Sequence, residues 1–416
     1  MASIEMYGGK PLCGEIEIQG SKNAALPILA ATILIDGITI LHNCPKILDI
    51  FYMVKILESL GCSVLWEGHR IQVDARPCKK ICVPEEYAGK MRSSVIFLGP
   101  LLAKKKEAFL PYPGGCVIGT RPIDLHMKAL SSMNIFFKEE GPWIHAKGEP
   151  ILGGNIVLDF PSVGATENIV LASVLANGIT RLENAAMEPE ITELCCFLTK
   201  AGAKIQGIGT SVLEIQGVKE LKGVEHTIEA DRIVAGTYLF AALGTRGQVL
   251  LQNAPVGQMR ATLEIAQKMG ALLCEKDGDL FVDGKNAWER LPYIKTEIYP
   301  GFPTDLQSPL LSVLSVAKGN SIVEETIFES RFKVVEELRR LGASMEIEGR
   351  QVIIHGKERL NGCCLKAQEL RGGAALVIAG LIAKGKTRII QTQYIKRGYE
   401  DICRDLKALG ANIFYS

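Results

Sequence analysis

Residues 23–43 read NAALPILAATILIDGITILHN, and residues 373–392 read GAALVIAGLIAKGKTRIIQT. Each stretch begins with an apolar segment of helical composition, passes through a glycine and ends in a β-branched strand pattern. The same order returns in stretches that start near Lys22, Arg92, Ala165, Arg232, Pro303 and Arg371. The chain is therefore predicted to consist of six repeats, spaced about seventy residues apart.

The second half of each repeat is an amphipathic helix, a Leu-Gly turn and a further strand. Residues 56–64 (ILESLGCSV), 338–345 (LRRLGASM) and 406–413 (LKALGANI) share this pattern. The first helix of each repeat is apolar nearly all round, which is typical of a buried helix. We therefore predict an α/β protein of βαβαββ-type units, with sheets around buried helices rather than one doubly wound sheet.

Six such units divide into two similar domains of three, because one unit cannot bury its hydrophobic face alone. The polar stretch 222–231 (KGVEHTIEAD) lacks helical periodicity and predicts a boundary near His226 to Asp231. Residues 14–20 (GEIEIQG) form a strand pattern before the first repeat. This strand is predicted to complete the C-terminal domain, and a cleft between the two domains is the default place for a site.

Composition excludes several functional classes. Lys and Arg (47) balance Asp and Glu (46), giving a net charge of +1 in 416 residues, so no global field attracts nucleic acid or a membrane surface. The start, MASIEMYGG, lacks a signal-peptide pattern, and no apolar run is long enough to span a membrane. No phosphate-binding or dinucleotide-binding glycine motif occurs. A cytoplasmic location is expected.

The twelve cysteines are expected to be reduced in that location. No Cys-x-x-Cys pair or histidine at ligand spacing supports a zinc site. Cys62 and Cys274 stand in apolar periodic contexts and are interpreted as small core residues. Cys116 differs, because glycines surround it in residues 111–122 (PYPGGCVIGTRP) and Arg121 follows. Such a segment can close over a ligand, and nearby cations lower the pKa of a thiol.

Cations recur at two places in the repeats. Lys22, Arg92, Arg232 and Arg371 stand at the starts of first helices, and Arg121, Arg331 and Arg397 stand where a strand leads into a second helix. A helix N-terminus already favours anions, so a cation there suggests a bound anion; a surface cation paired with a carboxylate elsewhere is the alternative. Lys22, Arg92, Arg121, Arg331, Arg371 and Arg397 together predict a phosphorylated substrate.

Asp305, in residues 302–307 (FPTDLQ), begins the fifth buried helix. It is either a helix cap or a general base among cations. His126 is interpreted as a core or supporting histidine. Glu188 and Glu190 flank a proline at a helix start, where negative charge is favourable.

These motifs resemble a known family. The stretches that carry the resemblance are 20–31 (GSKNAALPILAA), 91–103 (MRSSVIFLGPLLA), 113–126 (PGGCVIGTRPIDLH), 161–166 (PSVGAT), 183–191 (ENAAMEPEI), 302–307, 328–332 (FESRF) and 397–400 (RGYE). They resemble the UDP-N-acetylglucosamine 1-carboxyvinyltransferases over the whole chain. The cysteine segment is the most specific, since the related enolpyruvylshikimate phosphate synthases share the repeat fold but not this segment.

The resemblance implies an inside-out α/β barrel in each domain, with 22–229 in one, 1–21 and 230–416 in the other, and the active site in the cleft between them. It implies transfer of enolpyruvyl from phosphoenolpyruvate to the 3'-hydroxyl of UDP-N-acetylglucosamine with release of phosphate. That reaction is the first committed step of peptidoglycan synthesis, in the cytoplasm, and serves cell-wall biogenesis, cell shape and cell division. No metal or organic cofactor and no nucleic-acid or membrane partner is implied; fosfomycin, a phosphonate epoxide, is the implied inhibitor.

The resemblance also implies residue roles. Lys22, Arg121 and Arg397 would bind the phosphate of phosphoenolpyruvate, Arg331 and Arg371 its carboxylate, and Asn23 the tetrahedral intermediate. Asp305 would take the proton of the sugar hydroxyl, and Cys116 would protonate the methylene carbon and form a covalent adduct. The UDP-sugar would contact Arg92, Arg121, Pro122, Ile123, Asp124, Leu125, Ser162, Val163, Gly164, Asp305 and Ile327.

The chain departs from the family pattern at a few positions. The family usually has Arg at Met187, Glu at Val234, Asp at Glu369, and His-x-Asp-Arg where Tyr394, Lys396 and Arg397 stand. Two alternatives to the main hypothesis remain open: a catalytically weak or silent UDP-sugar-binding paralogue, and an enolpyruvyl transferase with another acceptor, such as shikimate 3-phosphate.

Overall fold

The computed structural model describes residues 3–114, 119 and 123–416. The α-helices of these residues are α1 (Lys22–Ala31), α2 (Leu48–Leu60), α3 (Glu85–Ala88), α4 (Leu98–Lys105), α5 (Asp124–Ser131), α6 (Val163–Ser173), α7 (Pro189–Lys200), α8 (Arg232–Thr245), α9 (Arg260–Lys268), α10 (Gln307–Leu314), α11 (Val334–Arg340), α12 (Leu370–Ile382) and α13 (Ile402–Ala408). Short 3₁₀ turns cover Thr32–Leu34, Arg92–Phe97, Val256–Gln258, Thr304–Leu306, Arg331–Lys333 and Ile395–Arg397. The helices and turns thus begin near all six predicted repeat starts.

The strands alternate with these helices along the chain. They are β1 (Ile4–Gly8), β2 (Cys13–Glu17), β3 (Ile35–His42), β4 (Ser63–Glu67), β5 (Arg70–Asp74), β6 (Glu107–Pro111), β7 (Phe136–Glu140), β8 (Trp143–Lys147), β9 (Asn155–Val157), β10 (Ile179–Glu183), β11 (Lys204–Gln206), β12 (Val212–Gln216), β13 (Leu221–Thr227), β14 (Gln248–Gln252), β15 (Leu272–Lys276), β16 (Asp279–Asp283), β17 (Tyr293–Lys295), β18 (Asn320–Glu324), β19 (Ser344–Glu348), β20 (Gln351–His355), β21 (Cys364–Lys366), β22 (Gly385–Ile390) and β23 (Asn412–Tyr415).

The described strands form six sheets, one for each repeat. In the third repeat, β9 pairs in parallel with β10, which pairs antiparallel with β12, and β12 pairs antiparallel with β11. The first helix, α6, connects the two parallel strands, and the antiparallel hairpin β11–β12 follows the second helix, α7. The second repeat has three strands and, in place of a fourth, an isolated parallel bridge from Cys82 to Phe109. The predicted βαβαββ unit is therefore confirmed.

Chain segments distant in sequence complete three of the sheets. β2 pairs in parallel with β14, which confirms that the strand before the first repeat joins the C-terminal repeats. β1 lies between β22 and β23 and pairs antiparallel with both. β13 pairs in parallel with β3 and so supplies the first strand of the first repeat. The sheets of repeats one and six thus each contain strands from both ends of their unit, and each sheet is complete only when those ends pair.

The first helices form the cores and the sheets surround them. In α12 every residue from Leu370 to Leu381 is buried, and apart from Arg371 its side chains are small or apolar all round. Helices α8, α10 and α12 pack against one another, and α4 packs against α6. The inside-out arrangement is confirmed, with helices at the centre and the strands, in the part of the chain that is described, in open sheets rather than a closed barrel.

The chain divides into two compact units. One contains residues 20–114 and 123–229, and the other contains residues 3–19 and 230–416. Each unit has its own apolar core. No helix within the described ranges is both long and apolar enough to cross a bilayer.

The interpretation of the cysteines is correct for Cys62 and wrong for Cys274. Cys62 is buried, whereas Cys274 is exposed. Cys274 lies in β15 directly opposite Phe281, which is itself exposed, so the pair stands on the outer face of its sheet. The apolar neighbours in the sequence did not reveal this, because adjacent strand residues face opposite sides.

Candidate active site

The C-terminal unit brings one carboxylate into contact with two arginines. Asp305 lies in the 3₁₀ turn before α10, and its Oδ1 accepts a hydrogen bond from Arg331 Nη2 at 2.7 Å. Its Oδ2 accepts from Arg371 Nη2 at 2.7 Å and from Arg371 Nε at 3.1 Å. The starts of α10, α11 and α12 therefore meet at this carboxylate, as the predicted position of Asp305 among cations requires.

Both guanidinium groups are almost fully buried, and each has an unused donor. The side chains of Arg331 and Arg371 are 2% and 3% exposed, while that of Asp305 is 27% exposed. Within the described residues, Arg331 Nε and Arg371 Nη1 have no hydrogen-bond partner. Buried donors are nearly always satisfied in proteins. The pair is therefore suited to an anionic ligand such as a carboxylate.

Arg371 remains cationic despite its burial. Burial lowers the pKa of its guanidinium, but the negative charges of Asp305 and Asp231 raise that pKa, and the net direction is upward. For the Tyr399 hydroxyl, which lies 2.8 Å from Thr237 Oγ1, burial has the opposite effect and raises the pKa. The site thus combines a permanent positive charge with a neutral phenol.

Glu369 lies next to the same two arginines. As the N-cap of α12, its carboxylate accepts from the backbone N–H groups of Arg371, at 2.7 Å, and of Gly372. It also lies 4.0 Å from Arg331 Nη1. Glu369, which stands where an aspartate was expected, therefore caps α12 through its side-chain oxygens.

The N-terminal unit holds a second cation at a helix start. Lys22 is the first residue of α1, and its Nζ lies 3.0 Å from Oδ2 of Asp49 in the first turn of α2. Asn23 follows it and is half-buried. For Lys22 and for Arg371 the structure thus supplies a carboxylate partner, Asp49 and Asp305 respectively. Of the two interpretations, a bound anion or a carboxylate partner, the second therefore applies to both cations.

Two more helix starts in this unit lie side by side. Ile123 precedes α5, which begins Asp124–Leu125, and Ser162 caps α6, which begins Val163–Gly164. A methyl group on Gly164 would approach within 2.8 Å of the His126 ring. His126 is buried and its Nδ1 lies 2.9 Å from Asn168 Nδ2, as expected for a supporting histidine. The starts of α5 and α6, which carry six of the predicted UDP-sugar residues, therefore lie close together.

The remaining predicted residues are placed as follows. Arg92 begins a 3₁₀ turn, with its Nη1 3.5 Å from the carbonyl oxygen of Pro113. Arg397 ends another and is half-buried, and the Ile327 N–H donates to Glu325 Oε1 at 2.9 Å. Cys116, Arg121 and Pro122 lie outside the described residues. In the described ranges no group of His, Cys, Asp and Glu is arranged to hold a metal.

Three further departures from the expected family pattern are placed as follows. Val234 is buried in the first turn of α8, where its N–H donates to Asp231. Met187 is half-buried next to the N-cap of α7. Lys396 is exposed, with its Nζ 5.0 Å from the ring centre of Tyr415. None of these contacts involves Asp305, Arg331 or Arg371.

Sequence reasoning missed Asp49, Tyr399 and Glu325. Asp49 precedes an apolar helix pattern and resembles any first-turn acid, so only the fold reveals its contact with Lys22. Glu325 carried a readable signal, because Ser321, Val323 and Glu325 alternate as buried residues along and just beyond β18. A carboxylate in a buried register position indicates a structural or functional role.

Glu167, a buried acid in α6, predicts an effect of pH on stability. Burial first, and then the charges of Glu190 and Glu188, raise the pKa of Glu167 well above its ordinary value. A carboxyl group with a raised pKa in the folded state favours folding at low pH, and this contribution is lost as the pH rises. Glu167→Gln should therefore raise the unfolding temperature more at pH 8 than at pH 5. Calorimetry at both pH values checks this, and an equal shift at both would contradict it.

The chain resembles known proteins over its full length. The family model of EPSP synthase (3-phosphoshikimate 1-carboxyvinyltransferase) matches residues 6–406. UDP-N-acetylglucosamine 1-carboxyvinyltransferase 2 of Caldanaerobacter subterraneus subsp. tengcongensis is 47% identical over 413 residues, with 99% of each chain covered. UDP-N-acetylglucosamine 1-carboxyvinyltransferase 1 of Halalkalibacterium halodurans is 44% identical, with 99% of this chain and 94% of the relative covered.

Solved structures share the fold at lower identity. The enolpyruvyl transferase NikO from Streptomyces tendae superimposes with a TM-score of 0.89 at 21% identity, covering 100% of this chain and 99% of that one. EPSP synthase from Acinetobacter baumannii gives a TM-score of 0.75 at 18% identity, with both chains fully covered. At these identities the likeness concerns the fold alone.

Proposed function

The chain belongs to the EPSP synthase family, and on that premise we propose that it transfers enolpyruvyl from phosphoenolpyruvate to the 3'-hydroxyl of UDP-N-acetylglucosamine, releasing phosphate. The observation that carries this proposal is the near-complete match, at 43–47% identity, to relatives named for that reaction. The product would enter peptidoglycan synthesis in the cytoplasm, where a reduced Cys116 would be maintained.

The C-terminal cluster supports a mechanism. Asp305 would accept the proton of the sugar hydroxyl as its oxygen attacks C2 of phosphoenolpyruvate. Arg331 and Arg371 hold Asp305 in place and each offers an unused buried donor, which suits the substrate carboxylate. Cys116 would deliver a proton to the methylene carbon, giving a tetrahedral intermediate that Asn23 would help hold. Loss of a proton and of phosphate from that intermediate would leave the enolpyruvyl ether.

The phosphate and the nucleotide sugar would use the remaining residues. Lys22, Arg121 and Arg397 would neutralise the phosphate, which leaves as an anion. The paired helix starts at 123–125 and 162–164, with Arg92, would bind the UDP-sugar through backbone N–H groups and side chains. Ile327 would complete the contact with the UDP-sugar. Lys22 already has Asp49 as a counter-charge, so its position is fixed before the substrate binds.

Phosphate release is the direct test of this function. We expect phosphate to form from phosphoenolpyruvate only when UDP-N-acetylglucosamine is present. Shikimate 3-phosphate, supplied in its place, should give none above background. Release with shikimate 3-phosphate alone would establish the other acceptor, and binding of the UDP-sugar without any release would identify a silent paralogue.

Arg397→Ala should weaken phosphoenolpyruvate binding roughly tenfold or more and leave UDP-sugar binding nearly unchanged, because Arg397 is assigned to the phosphate alone. The neighbouring Lys396→Ala, which removes an exposed cation, is the matched control and should bind both ligands normally. Calorimetric titration of each ligand measures the two affinities separately. Equal losses for both ligands in Arg397→Ala would contradict the assignment.

Fosfomycin should alkylate Cys116 in preference to the other thiols, because glycines flank it in the sequence and the arginines assigned to the anion can anchor the phosphonate. Cys13, Cys82, Cys196, Cys274 and Cys364 are exposed, so mass spectrometry must identify the modified peptide. UDP-N-acetylglucosamine should accelerate labelling. Cys116→Ser should resist inactivation, and Cys274→Ser should behave as wild type. Modification of a different peptide would defeat the assignment.

A further inference from the structure

Glu325 is a buried carboxylate that accepts four hydrogen bonds from groups around Asp305 and Ile327. It is 1% exposed. Its Oε1 accepts from Thr296 Oγ1 at 3.0 Å and from the backbone N–H groups of Ile327 and Phe328 at 2.9 and 3.1 Å. Its Oε2 accepts from Thr304 Oγ1 at 2.8 Å. The two oxygens thus hold three different segments of the chain, at Thr296, Thr304 and Ile327–Phe328.

Two of these segments carry residues of the proposed site. Thr304 immediately precedes Asp305, and its carbonyl oxygen accepts from Arg331 Nη2 at 3.3 Å. Ile327 and Phe328 form the turn that leads from β18 toward Arg331. A single side chain therefore links the segment of the proposed base to the turn that carries a proposed UDP-sugar contact and ends at Arg331.

A second hydrogen-bonded layer fixes Glu325 itself. Thr326 N–H donates to Thr296 Oγ1 at 3.0 Å, and Thr326 Oγ1 donates to the Thr296 carbonyl at 2.5 Å. The Glu325 N–H donates to the Arg350 carbonyl at 2.8 Å. A buried carboxyl group requires hydrogen-bond partners, and any change that removes one of these donors leaves the group with fewer of them. The geometry around Glu325 is therefore narrowly defined.

We propose that Glu325, acting through the Thr304 hydroxyl, is a positioning residue that sets the place of Asp305 relative to the Ile327–Phe328 turn. This proposal rests on the proposed enolpyruvyl transfer. Proton transfer requires the base within hydrogen-bond reach of the hydroxyl, and a displacement of about 1 Å can cost roughly 100-fold in rate. Glu325 contacts no reacting atom, so its effect passes through Asp305 and the turn.

Thr304→Val is the decisive variant, because it keeps the shape of the side chain and removes only the donor to Glu325 Oε2. We expect kcat to fall about tenfold or more, with the KM for phosphoenolpyruvate changing less than about threefold. Thr304→Ser, which retains the hydroxyl, should restore most of the activity. Glu324→Gln is the matched control, since Glu324 bonds to Tyr293 and Gln351 instead, and it should behave as wild type.

Hydrogen–deuterium exchange supplies a readout that does not depend on catalysis. Thr304→Val should increase exchange in peptides covering 303–307 and leave the β19–β20 hairpin unchanged, while Thr304→Ser should not. A kcat within twofold of wild type, equal losses in Thr304→Val and Thr304→Ser, or unchanged exchange would overturn the proposal. If wild type releases no phosphate, the proposed function fails, and the exchange result still decides whether the hydroxyl fixes the Asp305 segment.

Discussion

Asp305→Asn should lower kcat roughly 100- to 10,000-fold while the chain remains folded, because removal of a general base has an effect of this order. Asparagine keeps the volume of the side chain and one oxygen toward the two arginines, but it cannot accept the hydroxyl proton. Asp305→Ala should be at least as inactive, and it also removes the acceptor for three hydrogen bonds from Arg331 and Arg371.

Steady-state phosphate release, with circular dichroism to verify folding, measures this effect. The matched control is Asp36→Asn, which removes an exposed carboxylate paired with Lys104 and should have wild-type activity. Turnover of Asp305→Asn within tenfold of wild type would remove Asp305 from the role of base. A loss of the folded signal in Asp305→Ala alone would instead assign it a structural role as the counter-charge of the arginines.

The repeat pattern predicted most of the fold because it is local information. Apart from Arg371, helix α12 is apolar on every side, which indicates burial whatever surrounds it. The strand that contains Ile16 could be assigned to the C-terminal repeats because it stands alone before the first repeat. The pairing of β13 with β3 could not be read in this way, since it joins the two ends of one unit.

The candidate site was predictable in its residue types and less so in its contacts. Cations at matching places in the repeats identified Lys22, Arg331 and Arg371 as candidates, and the start of the fifth buried helix identified Asp305. Their pairing depends on tertiary structure, because the starts of three different helices must meet at one carboxylate. The contact of Asp49 with Lys22 and the four-donor environment of Glu325 arise in the same way.

Arg371→Lys should weaken phosphoenolpyruvate binding roughly 100-fold or more, although the charge is conserved. Arg371 uses Nε and Nη2 together to hold one oxygen of Asp305 and leaves Nη1 as a buried donor without a partner in the described residues. A lysine ammonium places all its donors on one nitrogen and cannot reach both Asp305 and the substrate carboxylate as the planar guanidinium does. Hydrogen bonds to charged groups contribute about 1.5–3 kcal/mol each. The substitution should therefore lose contacts with both Asp305 and the substrate carboxylate.

The matched control for this prediction is Arg388→Lys, because Arg388 is half-exposed in β22 and its Nε lies 3.7 Å from Glu5. It should leave the KM for phosphoenolpyruvate unchanged. The double variant Arg371→Lys with Asp305→Asn separates two functions of Arg371, the support of Asp305 and the direct binding of substrate. If the double variant loses less kcat than the sum of the two single variants, Arg371 acts on kcat through Asp305. A loss of phosphoenolpyruvate affinity that persists in the Asp305→Asn background indicates direct binding by Arg371. Wild-type affinity in Arg371→Lys would show that neither contact depends on the guanidinium fork.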